Sequence, residues 1–414
     1  MSLPSTSHSV QQSTRRAILL TSLFNEPLWT LYGLLAFILH KDLGASAFQI
    51  TLLTLIRPLV SLFSMYWCAQ IAQRRDALRS NLFWAGILAR VPFLLFLFFD
   101  SSWFFIFAAA LYMLFYRAGT PAWMEILKLN LPKQLRERSF AQGSTLGYGA
   151  GLLVGLLCGI CLDHGVFGWK ILFALAGLIS LCGVYVQRNL PIEGEEQVRF
   201  EQHTAEMRPL EVLTAPWKDA LHLMRTRRDF AKFQWGFMAC GLGIMLLQPA
   251  LPFFFIDTLH LSYTDLTLAF SLCKGVGYVL SSSLWARAMH RMALARLAAA
   301  VFLFFALFPL LLLGATLQVV WLYLAYVVYG VAQAGSHLIW NLSGPIFSQG
   351  DDSSRYTSVN IVMVGVRGLV APPLGGQLAA LVFGPVVALI VGMLLCFLGS
   401  WVMFREREKR LTAP

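Results

Sequence analysis

The sequence predicts an all-α membrane protein of twelve transmembrane helices arranged as two six-helix bundles. Three observations carry that expectation. The 414 residues are 57% hydrophobic and only 13% charged, apolar runs of spanning length continue from Ile18 to Phe404, and the basic residues alternate between heavy and light loops. Soluble domains carry about 25% charged residues, so lipid rather than a water-excluded core takes up this apolar surface.

A span needs about 20 residues at a rise of about 1.5 Å each. Windows of that length fall near 17–39, 48–71, 80–99, 103–126, 139–161, 167–187, 230–256, 262–285, 294–314, 317–340, 357–381 and 383–404. Residues 1–16 form a cytoplasmic tail rich in Ser, Thr and Gln. The apolar run after it holds Asn25, Glu26 and Pro27 without a small-residue cleavage site, and is read as a first span rather than a signal peptide. Of the 32 Lys and Arg, 25 fall on the two tails and the loops after even-numbered spans, and only Lys41 and Lys170 fall on the opposite loops. This pattern predicts a multi-pass protein of the cell's inner membrane with both termini cytoplasmic. The polar stretch 188–229 separates an N-terminal bundle, 17–187, from a C-terminal bundle, 230–404, with a second tail at 405–414. Within the linker Leu210, Leu213, Trp217, Leu221 and Met224 recur at helical spacing, which suits a helix on the cytoplasmic surface.

The net charge of +11 is scattered in short patches between apolar segments, a pattern that argues against nucleic acid as a partner. All seven cysteines lie in apolar segments and read as small buried hydrophobes; Cys158 and Cys161 have redox or metal spacing but no His or acidic neighbours. No phosphate-binding loop, His-Glu-x-x-His or paired acids in a soluble segment is found. The reading is therefore of a protein with no metal, no cofactor and no catalytic residues.

Sliding the second half back by 217 residues brings Arg57 onto Lys274 and Arg138 onto Arg355, with Trp67 within one residue of Trp285 and Gly119 of Gly335. Six helices repeated as six is the layout of carriers with a midplane solute site between the repeats. The fourth span holds Arg117 and Gly119, the fifth Gly147, Gly151, Gly155 and Gly159 at a spacing for close helix contact, and the eleventh Pro372, Pro373, Gly375 and Gly376. On these features the chain resembles the major facilitator superfamily over nearly its whole length. Of that family's signature after the second span only Arg74 is matched here, which marks a divergent bacterial member. The resemblance implies that spans 1, 4, 7 and 10 line the cavity, bringing in Asn25, Trp29, Tyr32, Trp123, Gln248, Gln333, His337, Trp340 and Asn341.

Charges deep in a bilayer cost about 2.5 to 3.5 kcal/mol each on insertion scales and normally face a wet interior or a partner. Five such cations, Arg57, Arg90, Arg117, Lys274 and Arg367, outnumber the one comparably deep acid, Glu26. An excess of fixed cations favours an anionic solute, which Arg57 and Lys274 could clamp from equivalent places in the two halves. The alternative is that these cations pair with Glu26, Glu125 or helix carbonyls and hold the structure together; Arg90 is the weaker candidate, because the third span in the resembled family lies outside the cavity. Glu26 is either a proton-coupling carboxylate or a permanent partner of Arg117 or Arg57. The function expected is secondary active transport, by a monomer using alternating access, of a small organic or phosphorylated anion, with protons as the coupling ion. Efflux of lipophilic compounds and a non-transporting sensor on the same fold are the alternatives.

Overall fold

The computed structural model describes residues 8–68, 78–165, 167–192, 209–348, 353–380 and 384–405. Every regular element among them is helical. Lipid offers no hydrogen bonds, and a helix satisfies its backbone groups within its own segment. The described residues include eight helices long and apolar enough to cross a membrane, with shorter apolar helices at Ala47–Val60 and Gly149–Asp163. The protein is an all-α membrane protein, and its helical segments follow the twelve expected windows. The loop signature with Arg74, linker residues 193–208 and the tail from 406 lie outside the described residues. Two compact units are formed, Met1–Ile38 with Val60–Val212, and Leu39–Leu59 with Leu213–Pro414.

The first six windows become α1 (His8–Leu43), α2 (Ala47–Cys68), α3 (Leu78–Leu94), α4 (Ser102–Asn130), α5 (Lys133–Asp163) and α6 (Trp169–Arg188). In the first unit α3, α4 and α6 meet through aromatic rings. Phe93 stacks on Phe173 at 5.6 Å and meets Tyr112 edge-on at 5.3 Å, contacts worth about 0.5–1.5 kcal/mol each beyond burial. Buried Asn130 donates to Thr14 Oγ1 at 3.0 Å and to the Pro191 carbonyl at 2.8 Å, tying the ends of α1 and α4 to the segment after α6.

The second unit contains most of α7 (Pro209–Thr226), on which Trp217 and Leu221 are exposed while Leu223 and Met224 pack on the unit's core. The seventh window is α8 (Arg228–Leu247) and α9 (Ala250–Phe253), prolonged by a π turn at Phe254–Thr258. The eighth is α10 (Tyr263–Thr267), a π turn at Leu268–Cys273, and α11 (Lys274–Arg291). There follow α12 (Leu294–Gly314), α13 (Val320–Ser348), α14 (Ser353–Ala380) and α15 (Pro385–Arg405). Small residues let these helices close up: Gly277 lies against the Val327 carbonyl, and Gly330 against that of Lys274. Residues 39–59 belong to this unit through specific contacts. His40 Nε2 lies 2.8 Å from Asp257 Oδ2, the Lys41 ammonium sits over the Tyr263 ring, and Thr51 and Pro58 fill the space left by Gly376 and Gly368.

Candidate functional site

In the first unit α1 brings three of the predicted residues onto adjoining turns. Glu26 is half-buried, and the glycines of α5 form its seat. A Cβ at Gly151 would lie 2.5 Å from Glu26 Oε1 and 2.9 Å from its Cγ, and one at Gly147 would lie 3.3 Å from Oε2. The glycine stripe therefore does more than bring two helices together; it makes room for a carboxylate.

Beside Glu26, Asn25 is committed to the protein. Its Oδ1 accepts from Arg90 Nη2 at 2.7 Å and from Ser180 Oγ at 2.8 Å. Arg90 also donates to Ser180 Oγ at 2.6 Å and to the Gly86 carbonyl at 2.9 Å, and is only 4% exposed. All three of its nitrogens are occupied, so this buried cation joins α1, α3 and α6.

Trp29, one turn beyond Asn25, heads a group of four rings. It stacks on Tyr116 at 5.3 Å and on Tyr32 at 6.1 Å, and Tyr112 closes the group at 5.0 Å from Tyr32. Tyr32 and Tyr112 are buried while Trp29 is 39% exposed. Next to Tyr116, Arg117 is exposed near the middle of α4 and has no ion pair or hydrogen bond among the described residues. Trp123, expected to line the cavity, is half-buried and packs against the clusters that hold Ile126 and Leu127.

In the second unit Arg367 of α14 lies in the space that Gly241 leaves on α8. Its Nη1 donates to the Phe237 carbonyl at 3.2 Å, and its guanidinium covers the Phe237 ring at 5.2 Å, with Trp340 stacked against that ring. Its Nε is buried with no acceptor among the described residues. On α11, Lys274 precedes Tyr278 by one turn and acts electrostatically on His337 of α13. A 3.1 Å hydrogen bond joins the Tyr278 hydroxyl to His337 Nδ1, its direction set by the imidazole tautomer. Gln248 is half-buried at the break between α8 and α9, and Gln333 is half-buried on α13. The side chains of Arg57 and Asn341 lie outside the described residues, as does that of Glu125.

The pattern of the Major Facilitator Superfamily matches residues 18–345. The chain belongs to that family. It is thus a multi-pass membrane transporter that handles small solutes. Among curated proteins no sequence relative is significant. Of solved structures, the nucleoside transporter NupG superposes with a TM-score of 0.70 at 12% identity, covering 95% of this chain and 100% of its own. A POT family transporter in complex with a thioalcohol-conjugated peptide gives 0.72 at 12% identity, over 95% and 98%. The peptide transporter POT in complex with sulfate gives 0.67 at 13%, over 94% of each. At these identities the likeness is one of fold.

Sequence reasoning missed a second polar network. Asn360 Nδ2 of α14 donates to Ser343 Oγ of α13 at 3.0 Å, and Gln234 of α8 donates to Asn360 Oδ1. All three are buried. The available signal was the presence of amides inside three apolar windows, which charge counting passes over.

Proposed function

We propose that this family member is a secondary active transporter of the cell's inner membrane that moves a small organic or phosphorylated anion by alternating access. It works as a monomer with both termini cytoplasmic, and protons couple through Glu26. One observation carries the reading: Arg117 and Arg367, each deep in its helix, have no carboxylate partner among the described residues. A guanidinium held at such depth without a counter-ion keeps donors for a carboxylate or phosphate that has lost its water. Lys274 and His337 extend the polar surface of the second unit, and Arg57 is the repeat-related partner of Lys274. Trp29, Gln248 and Asn341 would orient the solute, while Asn25 contributes by fixing its neighbours. The six-helix halves 17–187 and 230–404 are the moving parts. A nucleoside transporter and peptide transporters on the same fold support a small organic cargo.

The test is uptake of anionic, neutral and cationic metabolites into proteoliposomes, with and without a proton gradient, for wild type, Arg117→Gln and Arg367→Gln. A charge-assisted contact is worth about 1.5–3 kcal/mol, so each variant should lose about ten- to a hundredfold in uptake of the transported anion. Movement of lipophilic cations alone would overturn the anion reading in favour of efflux, and binding without movement would favour a sensor.

A further inference from the structure

The first unit offers more than a cation. Trp29 lies well inside the 36-residue α1, at about 1.5 Å per residue roughly 30 Å from its start and roughly 20 Å from its end. That depth is wrong for an interfacial anchor, where tryptophans usually gather. The exposed indole has no hydrogen bond among the described residues; its contacts are the three tyrosine rings. In hydrocarbon an unpaired N–H is costly, so this edge suits water or a ligand. One turn further along α1, a Cβ at Gly33 would meet nothing within 4 Å. Beneath the indole, Tyr116 at 29° and Tyr32 at 19° to its plane hold it in one orientation, and the Asn25–Arg90–Ser180 network anchors the preceding turn.

We infer that Trp29 and the open turn at Gly33 form a shelf for a flat conjugated ring, so that the transported anion is a ring compound with a hydrogen-bond acceptor for the indole N–H. The inference rests on the anion-transport reading above and narrows its cargo. Arg117, adjoining Tyr116, supplies the cation for the acidic group. A rigid, pre-stacked indole loses little freedom when a second ring is laid on it, whereas a puckered ring of the same size and charge touches it at fewer atoms.

The experiment compares benzenesulfonate, cyclohexanesulfonate and neutral benzenesulfonamide as ligands of the full chain in lipid nanodiscs, by thermal shift and by tryptophan fluorescence titration. Wild type should bind benzenesulfonate about tenfold more tightly than cyclohexanesulfonate, the equivalent of about 1.4 kcal/mol. Trp29→Leu should make the two sulfonates equal, and Trp29→Phe should restore part of the difference while showing that the fold is kept. Equal binding of the sulfonates by wild type, or discrimination that survives in Trp29→Leu, overturns the ring shelf and leaves the anion reading standing. Benzenesulfonamide binding as well as benzenesulfonate supports the shelf but removes the anion reading. Binding of none of the three overturns both.

Discussion

Replacing the α5 glycines one at a time with alanine separates a seat for Glu26 from ordinary helix packing. At Gly149 a Cβ would meet nothing within 4 Å. Gly149→Ala should therefore be neutral or stabilising by up to about 1 kcal/mol, the difference in helix propensity. At Gly147 the new methyl would stand 3.3 Å from Glu26 Oε2, so a shift of a few tenths of an ångström suffices and the gain in propensity roughly cancels the cost. At Gly151 it would stand 2.5 Å from Oε1, 2.9 Å from Cγ and 3.1 Å from Cδ. Three atoms of one side chain are overrun, and overpacking of this kind costs about 1–3 kcal/mol. The assay is the unfolding midpoint of each variant in one detergent, repeated in a Glu26→Ala background. If the carboxylate is the clashing group, Gly151→Ala should cost little once Glu26 is truncated, giving a coupling of about 1–2 kcal/mol. Equal cost in both backgrounds, or a Gly151→Ala as mild as Gly149→Ala, would refute the seat.

Four further outcomes follow from the structure. Arg90→Met should lower stability by about 2–4 kcal/mol, because Ser180, Asn25 and the Gly86 carbonyl lose their donor in a buried place; Arg117→Met should leave the unfolding midpoint within about 0.5 kcal/mol of wild type while, on the proposed function, lowering anion uptake by about ten- to a hundredfold. Gly241→Ala puts a methyl where the Arg367 guanidinium lies, so it should weaken anion binding by as much as Arg367→Gln, read by titration in nanodiscs. Asn360→Leu strands the Gln234 amide and removes the partner of Ser343, and should cost about 1–3 kcal/mol in a denaturation series.

The spans were legible because the bilayer imposes one length and one solution for the backbone, and both are written in the hydropathy of each window. The breaks inside them were not. The seventh and eighth windows read as continuous apolar runs, yet each includes a π turn, at Phe254–Thr258 and Leu268–Cys273, that no residue pattern announces. Local contacts of residues 39–59 were equally hidden, since His40 meets Asp257 across more than two hundred positions. At the candidate site, charge counting found Arg117, Arg367 and Glu26 but could not assign partners. It missed Gln234, Ser343 and Asn360 because a neutral amide in an apolar run hardly changes hydropathy.

Arg90 and Arg117 make the reason concrete. Each is a single arginine in an apolar run, and composition, depth and neighbouring sequence do not distinguish their roles. Folding does, through the count of acceptors. Arg90 meets Ser180, Asn25 and the Gly86 carbonyl, so each nitrogen already has an acceptor, and at 4% exposure the group is closed off from a solute. Arg117 meets none among the described residues and stays exposed, so under the proposed function an anion would gain its charge without displacing a protein acceptor. Asn25 shows the other side, because its amide oxygen already serves Arg90 and Ser180, and the proposed function therefore gives it the part of fixing its neighbours. The sequence tells which groups carry charge into the membrane; the number of donors left over after folding decides which of them are available for transport.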